Sequence, residues 1–188
     1  MTKRVFIIHG WGGSPEEPMH KWLKEHLENK EYEVHVPEMP HPDNPTINAW
    51  TSHLKKIVKN PDKDTYFIGH SIGCQTIMRY IEGLPENVKL GKVVFIAGWF
   101  KLDNLESEEE ETIAKPWMQN NIDFNKIKNK IEKLLVFLSD NEPYGFVEEN
   151  AKMFKEKLNA KVIIEHEKGH FTADDGVTEF PFVLRELQ

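Results

Sequence analysis

Gly69-His70-Ser71-Ile72-Gly73 is a G-x-S-x-G pattern lying between a β-type run, Tyr66-Phe67-Ile68, and a helically patterned stretch from Thr76 to Glu82. A serine on such a strand-to-helix turn is a candidate nucleophile. The two glycines let the chain lift the hydroxyl above a sheet, and the Ile72 N–H with the following helix N-terminus faces developing negative charge. A serine hydroxyl attacks poorly until a base takes its proton, and that base needs an acid to hold one tautomer. The chain order expected of this arrangement is serine, acid, histidine. His170, in Gly169-His170-Phe171 after the last β-type run, stands where that order needs it. The other eight of the nine histidines lie before the serine, within its turn, or at His166 in the last strand region.

Two carboxylates, Asp140 and Glu142, share the turn Ser139-Asp140-Asn141-Glu142-Pro143-Tyr144. Either reaches as the acid, and the other is free to cap a helix beginning near Tyr144. The glycine-rich His9-Gly10-Trp11-Gly12-Gly13 follows the first β-type run. A second oxyanion N–H comes from a loop in this position, so Trp11 is the candidate and Gly12 the alternative. His166-Glu167-Lys168-Gly169-His170 matches the zinc pattern H-E-x-x-H, but it follows a β-type run and contains a glycine. It therefore reads as a loop, whereas the zinc chemistry needs a helix to bring both histidines to one face. No metal and no cofactor are expected. Cys74 reads as a small packing residue.

The elements that must position these residues alternate. Short β-type runs at Val5–Ile8, Glu33–Val36, Thr65–Ile68, Val93–Ala97, Leu134–Leu138 and Val162–Glu165 are separated by segments with apolar residues at helical spacing. This predicts one α/β domain over 1–188: about six strands, mostly parallel, with helices on both faces. A closing helix is expected around Phe180, Val183, Leu184 and Leu187, with Pro181 in or just before its first turn. Residues 98–133 break the rhythm. They hold the acidic run Glu106–Glu111, which reads as a solvated face, and the aromatics Trp99, Phe100, Trp117 and Phe124 lie around it with Met118. These either pack in the core or line a pocket or lid at the carboxyl ends of the strands. Trp99 and Trp117 are the substrate-binding candidates.

The 188 residues carry a net charge of −7, with 39% apolar and 29% charged residues. That size suits one domain. The charge argues against a nucleic-acid surface, which needs clustered cations. The absence of an 18-residue apolar run argues against a membrane span. A lone cysteine and no evident leader lead to the expectation of a cytoplasmic protein. The partner expected is a small ester or amide. Nothing in the pattern bears on oligomeric state.

Several residues together resemble the small serine hydrolases of the retinoblastoma-binding-protein-nine and YdeN type. They are Met39-Pro40-His41-Pro42, Trp50, Ile68 through Gly73, Arg79-Tyr80, Pro116-Trp117, Phe124 with Lys126-Ile127-Lys128, and Gly169-His170-Phe171. The resemblance implies a compact α/β-hydrolase without the usual first antiparallel strands, using a serine, acid, histidine triad. It carries the nucleophile to Ser71, the base to His170 and the oxyanion donor to Trp11. The family's acid is an aspartate immediately before Pro-Tyr or Pro-Phe, and the residue here is Glu142; this favours Glu142 over Asp140. The L-x-C-x-E partner motif associated with the retinoblastoma-binding relative is absent. The expected function is hydrolysis of a small ester or amide, such as a carboxylester or an aminoacyl or peptide bond, through an acyl-enzyme on Ser71. The competing expectation is a weakly active, hydrolase-like binding module, for which the departure at Glu142 is the one residue-level argument.

Overall fold

The computed structural model describes residues 2–187. Six strands form one sheet in the order β2-β1-β3-β4-β5-β6, and every pairing is parallel. The strands are β1 (Arg4–Ile8), β2 (Glu33–His35), β3 (Thr65–His70), β4 (Leu90–Ile96), β5 (Ile131–Ser139) and β6 (Lys161–Glu165). The helices are α1 (Pro18–Glu28), α2 (Ile47–Ile57), α3 (Ile72–Glu82), α4 (Glu108–Gln119), α5 (Phe124–Lys128), α6 (Val147–Leu158) and α7 (Pro181–Leu187). Pro181 opens α7, where its missing N–H costs nothing.

The alternation of side chains along each strand splits the core into two layers. Val5, Ile7, Tyr66, Ile68, Val94, Ile96, Leu135 and Phe137 pack on one face, against Met19, Leu23 and Leu27 of α1 and Val183, Leu184 and Leu187 of α7. Phe6, Ile8, Phe67, Val93, Phe95 and Val136 pack on the other, against Trp50 and Leu54 of α2, Ile77 and Ile81 of α3 and Phe154 of α6. The central strands are buried on both faces, which is why they read as unbroken apolar runs. Ser107 caps α4 by accepting from the Glu110 N–H, and Glu108 to Glu111 fill the first turn. Carboxylates there complement the helix dipole, so the acidic run is a solvated helix start. Among the described residues no helix is long and apolar enough to cross a membrane.

The chain runs outward from β1 to β2 and then returns to β3 on the other side of β1, which makes the β1–β3 boundary the topological switch point. In register, Ile8 lies opposite Gly69. The loop after β1 and the turn after β3 therefore meet at the carboxyl edge of the sheet. Close approach makes this meeting possible. A Cβ on Gly73 would fall 2.3 Å from the Ile8 carbonyl oxygen, and one on Gly69 would fall 2.9 Å from the Cys74 nitrogen.

Those backbone atoms have no room to retreat, so Gly73→Ala is expected to destabilise the fold by about 3 kcal/mol, as overpacked sites do. Gly83 ends α3 at φ −78° with its nearest neighbour atom 3.6 Å from a built Cβ, and Gly83→Ala is expected to stabilise by about 0.5 kcal/mol. Urea titration of both variants checks the contrast.

Candidate active site

Ser71 sits between β3 and α3 with φ 53° and ψ −122°, a conformation few non-glycine residues adopt. Its N–H donates to the Ile96 carbonyl at 2.9 Å, which anchors the turn to the neighbouring strand. The strain is thus held by the sheet on one side and by the glycine contacts on the other. The side-chain oxygen meets His170 Nε2 at 2.8 Å, and His170 Nδ1 meets Glu142 Oε1 at 2.8 Å. A carboxylate only accepts, so Nδ1 carries the hydrogen and Nε2 offers its lone pair to the serine hydroxyl. His170 and Glu142 side chains are 13% and 11% exposed, which shields the pair from bulk water. Tyr144 stands edge-on to the His170 ring at 4.9 Å.

Of the two acid candidates, the structure brings Glu142 to His170 and takes Asp140 elsewhere. Asp140 is exposed, accepts from His166 Nδ1 at 2.6 Å and from the Glu167 N–H at 2.9 Å. Those hydrogen bonds, that of His166 first, hold its carboxyl below the usual range. Neither carboxylate caps the following helix: α6 begins after Phe146, with no side-chain cap. The 166–170 segment is a loop whose two histidines turn to different partners, His166 to Asp140 and His170 to Ser71.

The His170 loop is tied down from several sides. Asp175 Oδ2 accepts from the His170 N–H, the Thr172 N–H and the Thr172 hydroxyl, and Asn141 Oδ1 accepts from the Gly169 N–H. Burial works against the Asp175 charge, but the hydrogen bonds from Thr172 and the backbone outweigh it and lower its pKa. Its support of the loop is therefore present at neutral pH and is lost as pH falls through that lowered value. Gly169 has φ +51°, and a Cβ there would lie 2.1 Å from Asp175 Oδ1. His70, the second residue of the elbow motif, donates from Nε2 to the His170 carbonyl at 2.8 Å. Burial pushes the pKa of His70 well down, and that of nearby His20 to about 4, so both are neutral at pH 7. Sequence reasoning missed Asp175, Asn141, His20 and Glu17; only Thr172-x-x-Asp175, a local side-chain turn spacing, left a readable trace.

A cavity of about 420 Å³ opens over Ser71 and His170. Trp11, Trp99, Leu102, Leu105 and Tyr144 give it apolar walls, and Glu17, Glu110 and Asp174 stand among its lining residues with no lysine or arginine. The 98–133 segment thus contributes Trp99, Leu102, Leu105 and Glu110. Trp99 also points its indole N–H at Ser71 Oγ, 3.4 Å away. Trp117 is the other residue expected to contact substrate. It is buried in the core, donates its indole N–H to the Pro45 carbonyl at 3.2 Å and packs edge-on against Trp50, and it does not line this cavity. The α4 face that carries it turns toward α2 and α3, where the Arg79 guanidinium lies over its ring.

In the loop after β1, the Gly12 N–H donates to the Pro42 carbonyl at 2.9 Å. The Trp11 N–H has no such partner among the described residues. Ile72 is the first residue of α3, where an N–H has no acceptor within the helix. Cys74 is fully buried, and burial pushes its thiol well above the usual range; it is a packing residue.

A serine hydrolase family model matches residues 5–188. The YdeN hydrolase of Bacillus subtilis (strain 168) is 29% identical over 191 residues, covering 100% of this chain and 95% of that protein. The serine hydrolase RBBP9 of Rattus norvegicus is 24% identical, covering 96% of this chain and 86% of its own length. The crystal structure of the B. subtilis ydeN gene product superposes with a TM-score of 0.89 at 27% identity, over 99% of this chain and 97% of that one. With the α/β-hydrolase architecture in place and the family match running from the first strand to the last helix, the chain belongs to the serine hydrolase family.

Proposed function

We propose that the protein hydrolyses small esters or amides through an acyl-enzyme on Ser71, with His170 as general base and acid, and Glu142 as the residue that orients it. The observation that carries this reading is the unbroken chain of two 2.8 Å contacts, Glu142 to His170 to Ser71, ending at the floor of an open cavity. Ser71 Oγ attacks the carbonyl carbon as His170 Nε2 takes its proton. The N–H groups of Ile72 and Trp11 receive the oxyanion. His170 then gives the proton to the departing alcohol or amine, leaving an acyl-serine. Water attacks that ester with His170 again as base, and release of the carboxylic acid returns Ser71. Glu142 keeps the proton on Nδ1 so that Nε2 is always the basic nitrogen. Because Glu142 Oε1 reaches His170 Nδ1 at 2.8 Å, the departure from aspartate at this position leaves the chain of contacts unbroken. That favours turnover over a binding-only scaffold.

Ser71→Ala is expected to abolish covalent labelling by a fluorophosphonate probe while leaving the melting temperature nearly unchanged, since it removes one oxygen and leaves no core cavity. Labelling that persists in this variant overturns the nucleophile assignment.

Glu142→Gln is expected to keep the geometry but favour the wrong imidazole tautomer, lowering kcat for a p-nitrophenyl ester by about 10²- to 10⁴-fold. Asp140→Asn is expected to leave kcat close to wild type. The double variant, measured beside both singles, tests whether one carboxylate stands in for the other. A large loss in Asp140→Asn with none in Glu142→Gln reverses the assignment.

A further inference from the structure

Beside the Ser71 cavity, α1 begins against the elbow. Glu17 precedes its first helical residue and His20 lies in its first turn. One ligand-type atom from each of Glu17, His20 and His70 lies within 4.8 Å of the others. Both histidines are buried, at 1% and 4% exposure, and their rings meet edge to face at 6.0 Å.

Their hydrogen bonds fix which nitrogen is basic. His70 Nε2 faces the His170 carbonyl at 2.8 Å, and His20 Nδ1 faces the Ser14 carbonyl at 3.2 Å, with Glu17 Oε2 3.4 Å from the same nitrogen. A carbonyl only accepts, so each of these nitrogens carries the hydrogen. That leaves His70 Nδ1 and His20 Nε2 as lone pairs, and both are buried with no hydrogen-bond partner. Neither can satisfy the other, because each is an acceptor, and a buried acceptor left bare is costly.

The surroundings keep this corner open. A Cβ on Gly10 would lie 3.1 Å from His70 Nδ1 and 3.3 Å from Ser71 Cβ, and a Cβ on Gly13 would lie 2.2 Å from Glu17 Oε1. Any residue larger than glycine would press on the free lone pair or the carboxylate. Two neutral imidazoles, each holding its other N–H on a backbone carbonyl, with a carboxylate beside them, form the donor set and outer hydrogen-bond pattern of a zinc-type ion.

We propose that Glu17, His20 and His70 form a binding site for a divalent cation of the zinc, cobalt and nickel class, set into the wall of the Ser71 cavity. It is separate from the 166–170 loop, and it goes beyond the hydrolase reading, on which it does not depend. Glu17 and His70 also line the cavity, so a bound ion meets whatever enters there. His70 hydrogen-bonds the His170 backbone, so the same ion bears on the loop that carries the base.

The test is a titration of chelator-dialysed full-length protein with Co²⁺, followed by visible absorption, and with Zn²⁺, followed by calorimetry. One equivalent is expected to bind, with the intense visible bands of a low-coordinate Co²⁺ site. His20→Phe and Glu17→Gln are each expected to weaken binding by at least about tenfold. Glu17→Gln keeps the oxygen that accepts the Ser14 N–H, so it decides the matter if His20→Phe fails to fold. Zn²⁺ should also shift the ¹⁵N signals of His20 Nε2 and His70 Nδ1. The proposal is overturned if no binding occurs up to about 1 mM cation, as when a water or a substrate amine is the true occupant. It is equally overturned if binding survives both variants, or if it is lost only in His166→Ala, which would place the ion on the exposed His166, Asp140 and Glu167 group.

Discussion

The site depends on how closely α3 can start against the end of β1. The Ile8 carbonyl and a Gly73 Cβ would be 2.3 Å apart, so only a glycine lets the first turn of α3 settle there. The β1–β3 register sets Ile8 opposite Gly69 and fixes that contact in space. Ser71 is then pinned from a third direction by its N–H on Ile96 of β4. Three parallel strands therefore share the cost of one left-handed backbone conformation. The result is a hydroxyl raised at the switch point of the sheet, beside the Gly10-Trp11 loop. A sheet with a different order at this point would put another loop beside the serine.

The second half of the site is a loop, and loops are more mobile than the elements they connect unless they are tied down. Asp175 gathers three donors on one oxygen, Asn141 holds Gly169, and His70 holds the His170 carbonyl. These anchors come from the loop itself, from the turn after β5 and from the elbow, so the His170 ring is placed relative to both of its partners at once. His70, the second residue of the G-x-S-x-G turn, thus links the Ser71 segment to the His170 segment. A buried, neutral histidine suits that task, since a charged one would disfavour a protonated His170 close by.

Much of this was legible in the sequence because it is local. The strand-turn-helix context of Ser71, the position of His170 after the last strand and the alternation that builds the sheet all rest on short-range patterns. The choice between Asp140 and Glu142 was open to residue reasoning, and only the family pattern favoured Glu142. In the structure the two side chains part. The Asp140 N–H continues the β5–β6 ladder by donating to the Glu165 carbonyl, so its side chain leaves the sheet edge beside His166, while Glu142 lies further round the turn beneath His170. The placement of Trp117 was hidden for a similar reason. An aromatic near the strand ends tells nothing of which way its helix is turned, and Pro116-Trp117 faces Trp50 and Arg79. Glu17 and His20 were invisible because 53 and 50 positions separate them from His70, and only the sheet order brings them together.

The cavity's charge constrains the chemistry proposed for it. Glu17, Glu110 and Asp174 line it with no lysine or arginine among the lining residues, and Glu142 lies just behind His170. An oxyanion forming over Ser71 therefore develops in a field that is already negative, where each nearby charge raises its cost more than it would in open water. Backbone N–H groups are the donors suited to that setting, because they are fixed in direction and bring no counter-charge of their own. The start of α3 adds its dipole along the same line. An anionic substrate would meet the full repulsion of the carboxylates before reaching those donors, whereas a neutral or amine-bearing acyl group would not. A cation on Glu17, His20 and His70 would shift this balance toward the positive at the wall nearest the nucleophile. The same three residues would then set both the charge of the cavity and the kind of substrate it admits.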